Sequence, residues 1–100
     1  AEGTKAVPVA VRINGVRPNP FNPSTLVEFT IGRPGDVSVI VYDVTGRVVK
    51  RLVDRSFGAG FHSVMWDGRD GSGNDASSGV YIVKVGSSGM YASARMTLVK

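Results

Sequence analysis

Residues 27–31, Val27-Glu28-Phe29-Thr30-Ile31, alternate apolar with polar side chains, the period of a strand with one buried face. Val27, Phe29 and Ile31 are expected to point inward. Arg33-Pro34-Gly35-Asp36 has the chemistry of a turn, Pro fixing one dihedral and Gly permitting an unusual one, so a hairpin is expected there. In Val37-Ser38-Val39-Ile40-Val41-Tyr42-Asp43-Val44 the inner face takes Val37, Val39 and Val41, and the outer face Ile40 and Tyr42. Thr45-Gly46-Arg47 closes a short turn before Val48-Val49-Lys50-Arg51-Leu52-Val53, and Gly58-Ala59-Gly60 makes the next break. Phe61-His62-Ser63-Val64-Met65-Trp66 is apolar on both faces. Alternation there does not choose between His62, Val64 and Trp66 on one side and Phe61 and Met65 on the other. Residues 67–79 are too rich in Gly, Ser, Asp and Asn to be anything but a loop. Val80-Tyr81-Ile82-Val83-Lys84-Val85 and residues 91–99 predict a closing hairpin around Gly86-Ser87-Ser88-Gly89.

No window carries apolar residues at three-and-four spacing with a cap, so helix is expected to be nearly nil. With a first strand near residues 7–13, about seven short strands separated by turn signals predict an all-β fold, an immunoglobulin-like antiparallel β-sandwich. A small barrel presents the same one-dimensional pattern. The expected core comprises Val27, Phe29, Val37, Val39, Val41, Val64, Trp66, Tyr81, Val83, Met96 and Leu98.

One hundred residues fit a single domain, and 42% hydrophobic with 20% charged residues supplies a core. The 13 glycines agree with many tight turns. The absence of cysteine excludes disulfide scaffolds, thiol catalysis and cysteine-based metal sites. The net charge of +4 raises nucleic acid as a partner. The basic residues are scattered, however, and Lys50-Arg51 is their only adjacent pair, so no nucleic-acid partner is expected. Neither a membrane span nor a signal-peptide apolar region is present, so no membrane span is expected. The chain opens on Ala1 without an initiator methionine, as expected of a processed chain or an excised fragment.

Candidate chemistry is thin. The acidic, glycine-rich stretch offers Asp67, Asp70, Asn74 and Asp75 as a calcium loop, since Ca²⁺ takes carboxylate and amide oxygens. Its spacing is poor. Counted from Asp67, Arg69 and Gly71 stand where ligands are needed, and counted from Asp70 the twelfth position is Tyr81 instead of Glu. Short acidic side chains that bind loop backbone are the expected role, and no metal or other cofactor is expected. His62 is the single histidine, no serine lies in a G-x-S-x-G elbow, and no enzyme activity is expected. Trp66 and Tyr81 are expected in the core, although exposed they would make a sugar-stacking platform.

Periodicity does not account for Pro18-Asn19-Pro20-Phe21-Asn22-Pro23-Ser24-Thr25, whose prolines donate no backbone hydrogen bond and are expected to keep it extended. With YDVTGRVV from Tyr42, HSVMWDGRDGSG from His62, SSGVYIVKV from Ser78 and the closing ARMTLVK, it resembles the C-terminal sorting domains of type IX secretion cargo. The same blocks are similar to the immunoglobulin-like domain of the flagellar hook-capping protein. The resemblance covers roughly residues 16–100, leaving 1–15 as a linker or first strand. The terminal Lys-Met-x-Leu-x-Lys ending of sorting domains falls on residues 95–100, with Arg95 in place of the lysine.

The resemblance implies a non-catalytic domain of a secreted or surface-attached bacterial protein, read by outer-membrane secretion machinery and in some cases removed by a sortase-like peptidase. Pro18, Asn19, Pro20, Gly79, Tyr81, Met96 and Lys100 would be its recognition motif, with the terminal strand and its charged end as the exposed contact. A structural interaction module in an extracellular assembly, or beside a catalytic domain, is the alternative.

Overall fold

The computed structural model describes residues 11–100. They form seven strands: β1 Val11–Arg17, β2 Thr25–Ile31, β3 Gly35–Asp43, β4 Val48–Phe57, β5 Gly60–Trp66, β6 Gly79–Ser87 and β7 Met90–Leu98. A three-stranded sheet in the order β1-β2-β5 faces a four-stranded sheet in the order β4-β3-β6-β7, and every ladder is antiparallel. Two sheets, not a closed barrel, enclose the core. No helix occurs among the described residues.

The alternating runs place their valines as expected. Val27, Phe29 and Ile31 from one sheet meet Val37, Val39, Val41, Val83, Val85, Met96 and Leu98 from the other, all fully buried. The face of β5 is settled by exposure: Trp66 is 0% exposed, whereas Phe61 is 66% and Met65 59% exposed.

Several expectations are corrected. β2 and β3 do not form a hairpin: Ile31 ends in one sheet and Gly35 begins in the other, so the Arg33-Pro34 turn is a crossover between layers. Val64 is half-buried against the core instead of fully inside it, because β5 is an edge strand. Phe21, Phe57 and Ala76 join the core from segments with no strand period of their own or at a strand end. The first strand spans Val11–Arg17; the expected residues 7–10 lie outside the described residues. β4 runs four residues further than its apolar pattern, to Phe57. Register shifts between Val39 and Ile40, and again between Val41 and Tyr42, break its period-two pattern. The terminal hairpin turns at Ser88 and Gly89 alone, with φ of 52° and 76°. That is a primed turn, whose twist suits two adjacent strands.

Candidate functional site

The last strand ends inside a clasp. β7 pairs with β6 on one side only, so its other edge presents outward backbone groups. Over its final residues that edge is occupied by the proline-rich segment 18–23. Asn19 acts as a peptide group: its Nδ2 donates to the Arg95 carbonyl at 3.0 Å, and its Oδ1 accepts from the Thr97 N–H at 3.0 Å. Phe21 continues the ladder with its own backbone, donating to Thr97 O at 2.9 Å and accepting from Val99 N–H at 2.9 Å. Pro18, Pro20 and Pro23 have no N–H to offer a further strand, so the segment covers the edge and terminates it. Instead of running extended, the segment bends on both sides of the single bridge at Phe21. Thr25, itself buried, donates from its hydroxyl to Pro18 O at 2.8 Å and closes the bend.

Phe21 carries the clasp into the core. Its ring lies 5.5 Å from that of Trp66, which in turn meets Tyr81 edge-on at 5.2 Å. Both polar tips of the pair are satisfied by the 67–79 loop: Trp66 Nε1 donates to Arg69 O at 2.9 Å, and Tyr81 Oη to Ser77 O at 2.6 Å. Trp66 and Tyr81 are therefore core residues, and their buried faces cannot stack on a sugar. Gly68 adopts φ of +78°, and a Cβ there would stand 2.6 Å from Pro23 O, so the loop and the clasp touch through a position only glycine fits.

The sequence blocks singled out above thus converge on one end of the sandwich. Pro18, Asn19 and Pro20 lie along β7; Gly79 pairs with Leu98 and Tyr81 with Met96. Lys100 donates its backbone N–H to Ser78 Oγ at 3.1 Å, and its Nζ lies 3.9 Å from Asp75. Met96 is fully buried and Tyr81 nearly so, which takes both side chains out of reach of any partner of the folded domain. The expectation of an exposed terminal strand is narrowed accordingly: Met96 and the edge beside Thr97 are covered, while the charged end at Lys100 is exposed. The strand's inner side chains are in the core and its last outward backbone groups are covered, while the side chains of Tyr91, Ser93, Arg95, Val99 and Lys100 stay in solvent.

The acidic residues of the loop are engaged locally. Asp67 Oδ1 accepts from Arg69 N–H at 3.0 Å, Asp70 Oδ1 from Ser72 and Asn74 N–H at 2.9 and 3.0 Å, and Asp75 lies 3.6 Å from Arg69. No group of three or more His, Cys, Asp or Glu side chains able to hold a metal occurs among the described residues. The Asp70 turn has a twin. In Asp43-Val44-Thr45-Gly46-Arg47, as in Asp70-Gly71-Ser72-Gly73-Asn74, the aspartate Oδ1 accepts from the N–H groups two and four residues on. In both, the glycine three residues on, at φ of 89° or 86°, donates to the aspartate carbonyl at 3.0 Å. The Asp43 carboxyl is held below the usual carboxylate range, first by the Thr45 hydroxyl and then by the backbone N–H groups of Arg47 and Thr45 and the charge of Arg47, against an opposing effect of desolvation. The twin turns flank an open, mainly polar cleft of about 710 Å³. His62 lies at the other end of the sandwich, donating from Nε2 to Gly58 O at 2.7 Å beside Phe57 and Phe29.

The motif marks Asn19 but not its role as a surrogate peptide, and strand periodicity does not place Phe21 in the core, where the structure buries it. An apolar residue isolated among prolines was the available signal.

Sheets of three and four antiparallel strands in this order define an immunoglobulin-like module. The chain belongs to the FlgD Ig-like domain family, whose profile matches residues 22–90. FlgD from P. aeruginosa is similar to it with 32% identity and a TM-score of 0.61, over 74% of this chain and 59% of that one. Dimeric latent PorU from Porphyromonas gingivalis shares the fold over 94% of this chain, with a TM-score of 0.71 and 23% identity. PorZ, described as an essential bacterial surface component of the type-IX secretion system of P. gingivalis, shares it over 86%, with a TM-score of 0.59 and 24% identity. The chain spans 10% of the PorU chain and 11% of the PorZ chain. No curated protein gives a significant sequence match. No helix among the described residues is long and apolar enough to cross a membrane.

Proposed function

We propose that this domain is a non-catalytic sorting and surface-attachment module, read in its folded form by outer-membrane machinery of a type IX secretion system and acting outside the cell or at its surface. The observation that supports this is the convergence of the proline-rich block, the Gly79 strand entry and the residue 95–100 ending on a single clasped strand end. The resemblance to sorting domains rests on those same three blocks. Removal by a sortase-like peptidase would then act on the chain before the sandwich. Fusion of the domain to the C-terminus of a passive reporter tests the reading. Export is expected in a type IX-competent cell and not in a strain lacking the system.

A second reading is favoured by one observation, the 32% identity to FlgD across most of the sandwich. On that reading the domain packs as a structural module within an extracellular assembly. A reporter that stays in the periplasm while the domain is folded supports it over the first.

A further inference from the structure

The clasp covers only half of the β7 edge. Thr97, Val99 N–H and Arg95 O are taken by Asn19 and Phe21. Successive residues of a strand alternate the edge to which their backbone points, so Arg95 N–H and both groups of Ser93 and Tyr91 face the same side as Thr97. Among the described residues these have no hydrogen-bonding partner on that side. The edge carries no proline there.

The side chains beside this open stretch are basic and aromatic. Arg95 pairs with Ile82 and Ser93 with Lys84, so Lys84 and Arg95 are diagonal neighbours on the outer face of the sheet. Arg51 stands in the same row as Lys84, with Ile40 between them. None of the three cations forms a salt bridge among the described residues, whereas Arg17, Arg69 and Lys100 do. The acids on this face, Asp36 and Asp54, lie toward its hairpin end: Asp54 stands in the row of Tyr91 but on β4, the opposite edge of the sheet, and Asp36 is bonded to the Ser56 hydroxyl. Tyr91 is 64% exposed, with the Lys84 ammonium 4.2 Å from its ring centre. Like charges on diagonal positions repel unless an anion lies between or beside them.

We propose that the unclasped edge of β7, at Tyr91, Ser93 and Arg95, receives an extended acidic segment of a partner protein as an added strand of the four-stranded sheet. Backbone groups of the segment would pair with Ser93 and its outward neighbours. Its alternate side chains, pointing to the same face as Arg95 and Tyr91, would be Asp or Glu lying against Arg95 and Lys84. The clasp fixes where such a strand must stop, because beyond Arg95 the edge is already taken. This surface is independent of whether the domain directs secretion.

The probe is a short peptide alternating Glu with Val, with a control in which Lys replaces each Glu, titrated into isotopically labelled domain and followed by amide NMR. Saturable shifts at Tyr91, Ser93 and Arg95 are expected, with the Glu peptide binding at least about tenfold tighter than the Lys peptide and weakening in salt. Arg95→Glu should remove that preference. Ser93→Pro deletes an outward N–H without touching the β6 ladder, so it should abolish binding while the melting temperature holds. No saturable shift with the Glu peptide, equal binding of both peptides, or shifts confined to the β1, β4 or β5 edges would overturn the proposal.

Discussion

The carboxamide of Asn19 occupies the position of a peptide group beside Thr97, accepting its N–H at 3.0 Å and reaching back to the carbonyl of Arg95, 76 residues away in sequence. A side chain thus closes an edge that a strand would otherwise have to close. Asn19→Ala should destabilise the domain by about 1–3 kcal/mol, since two hydrogen bonds go and their backbone partners lose their cover. Asn19→Asp keeps the acceptor but loses the donor and should fall between. Denaturant titration of the three proteins checks the order.

Phe21 and Trp66 are fully buried and in contact, so truncation of either to Ala is expected to remove about 3–5 kcal/mol. Their effects should be markedly less than additive, because each leaves the same cavity. Gly68→Ala should be as damaging for a different reason: its new methyl meets Pro23 O, and the left-handed dihedral disfavours any side chain. Additivity of the Phe21 and Trp66 variants in thermal melts would contradict the shared aromatic cluster.

How much of this was legible depends on what each strand buries. β2 has one buried face, so Val27, Phe29 and Ile31 announce themselves by alternation. β5 does not, because Phe61 and Met65 are left in solvent and mimic an inner face. β4 hides its length behind two register shifts, and its polar end at Asp54, Arg55 and Ser56 is strand only because β3 pairs with it. The clasp is the least legible part. A bridge one residue long has no period, and the partners of Asn19 are too distant in the chain for any local pattern to show them.

Asp43 gives the pH dependence its sign. Its folded pKa lies below that of the unfolded chain, so its contribution to stability is present above the ordinary carboxylate range and is lost as pH falls through the lowered folded value. The melting temperatures of the native domain and Asp43→Asn should differ most near neutrality and converge in acid. A constant difference across pH would show that the turn draws nothing from the charge.

The 67–79 loop is expected to fold without metal, its aspartates serving backbone N–H groups. Melting in calcium and then in chelator should give the same midpoint. A specific site saturated at about 100 times its dissociation constant would add about 2.7 kcal/mol. A gain of that size, lost on Asp70→Ala, would assign the loop to calcium.

The sorting reading is tested most directly by the fraction of a C-terminally fused reporter found outside a type IX-competent cell. The intact domain should carry most of it out. Deletion of residues 96–100 removes Met96 and Leu98 from the core and should abolish export, while Lys100→Ala, which loses only an exposed ion pair worth about 0–1 kcal/mol, separates recognition of the end from stability. Export reduced by Lys100→Ala in a domain of unchanged melting temperature would place recognition at the charged end. A folded, intact domain that leaves its reporter in the periplasm would contradict the account.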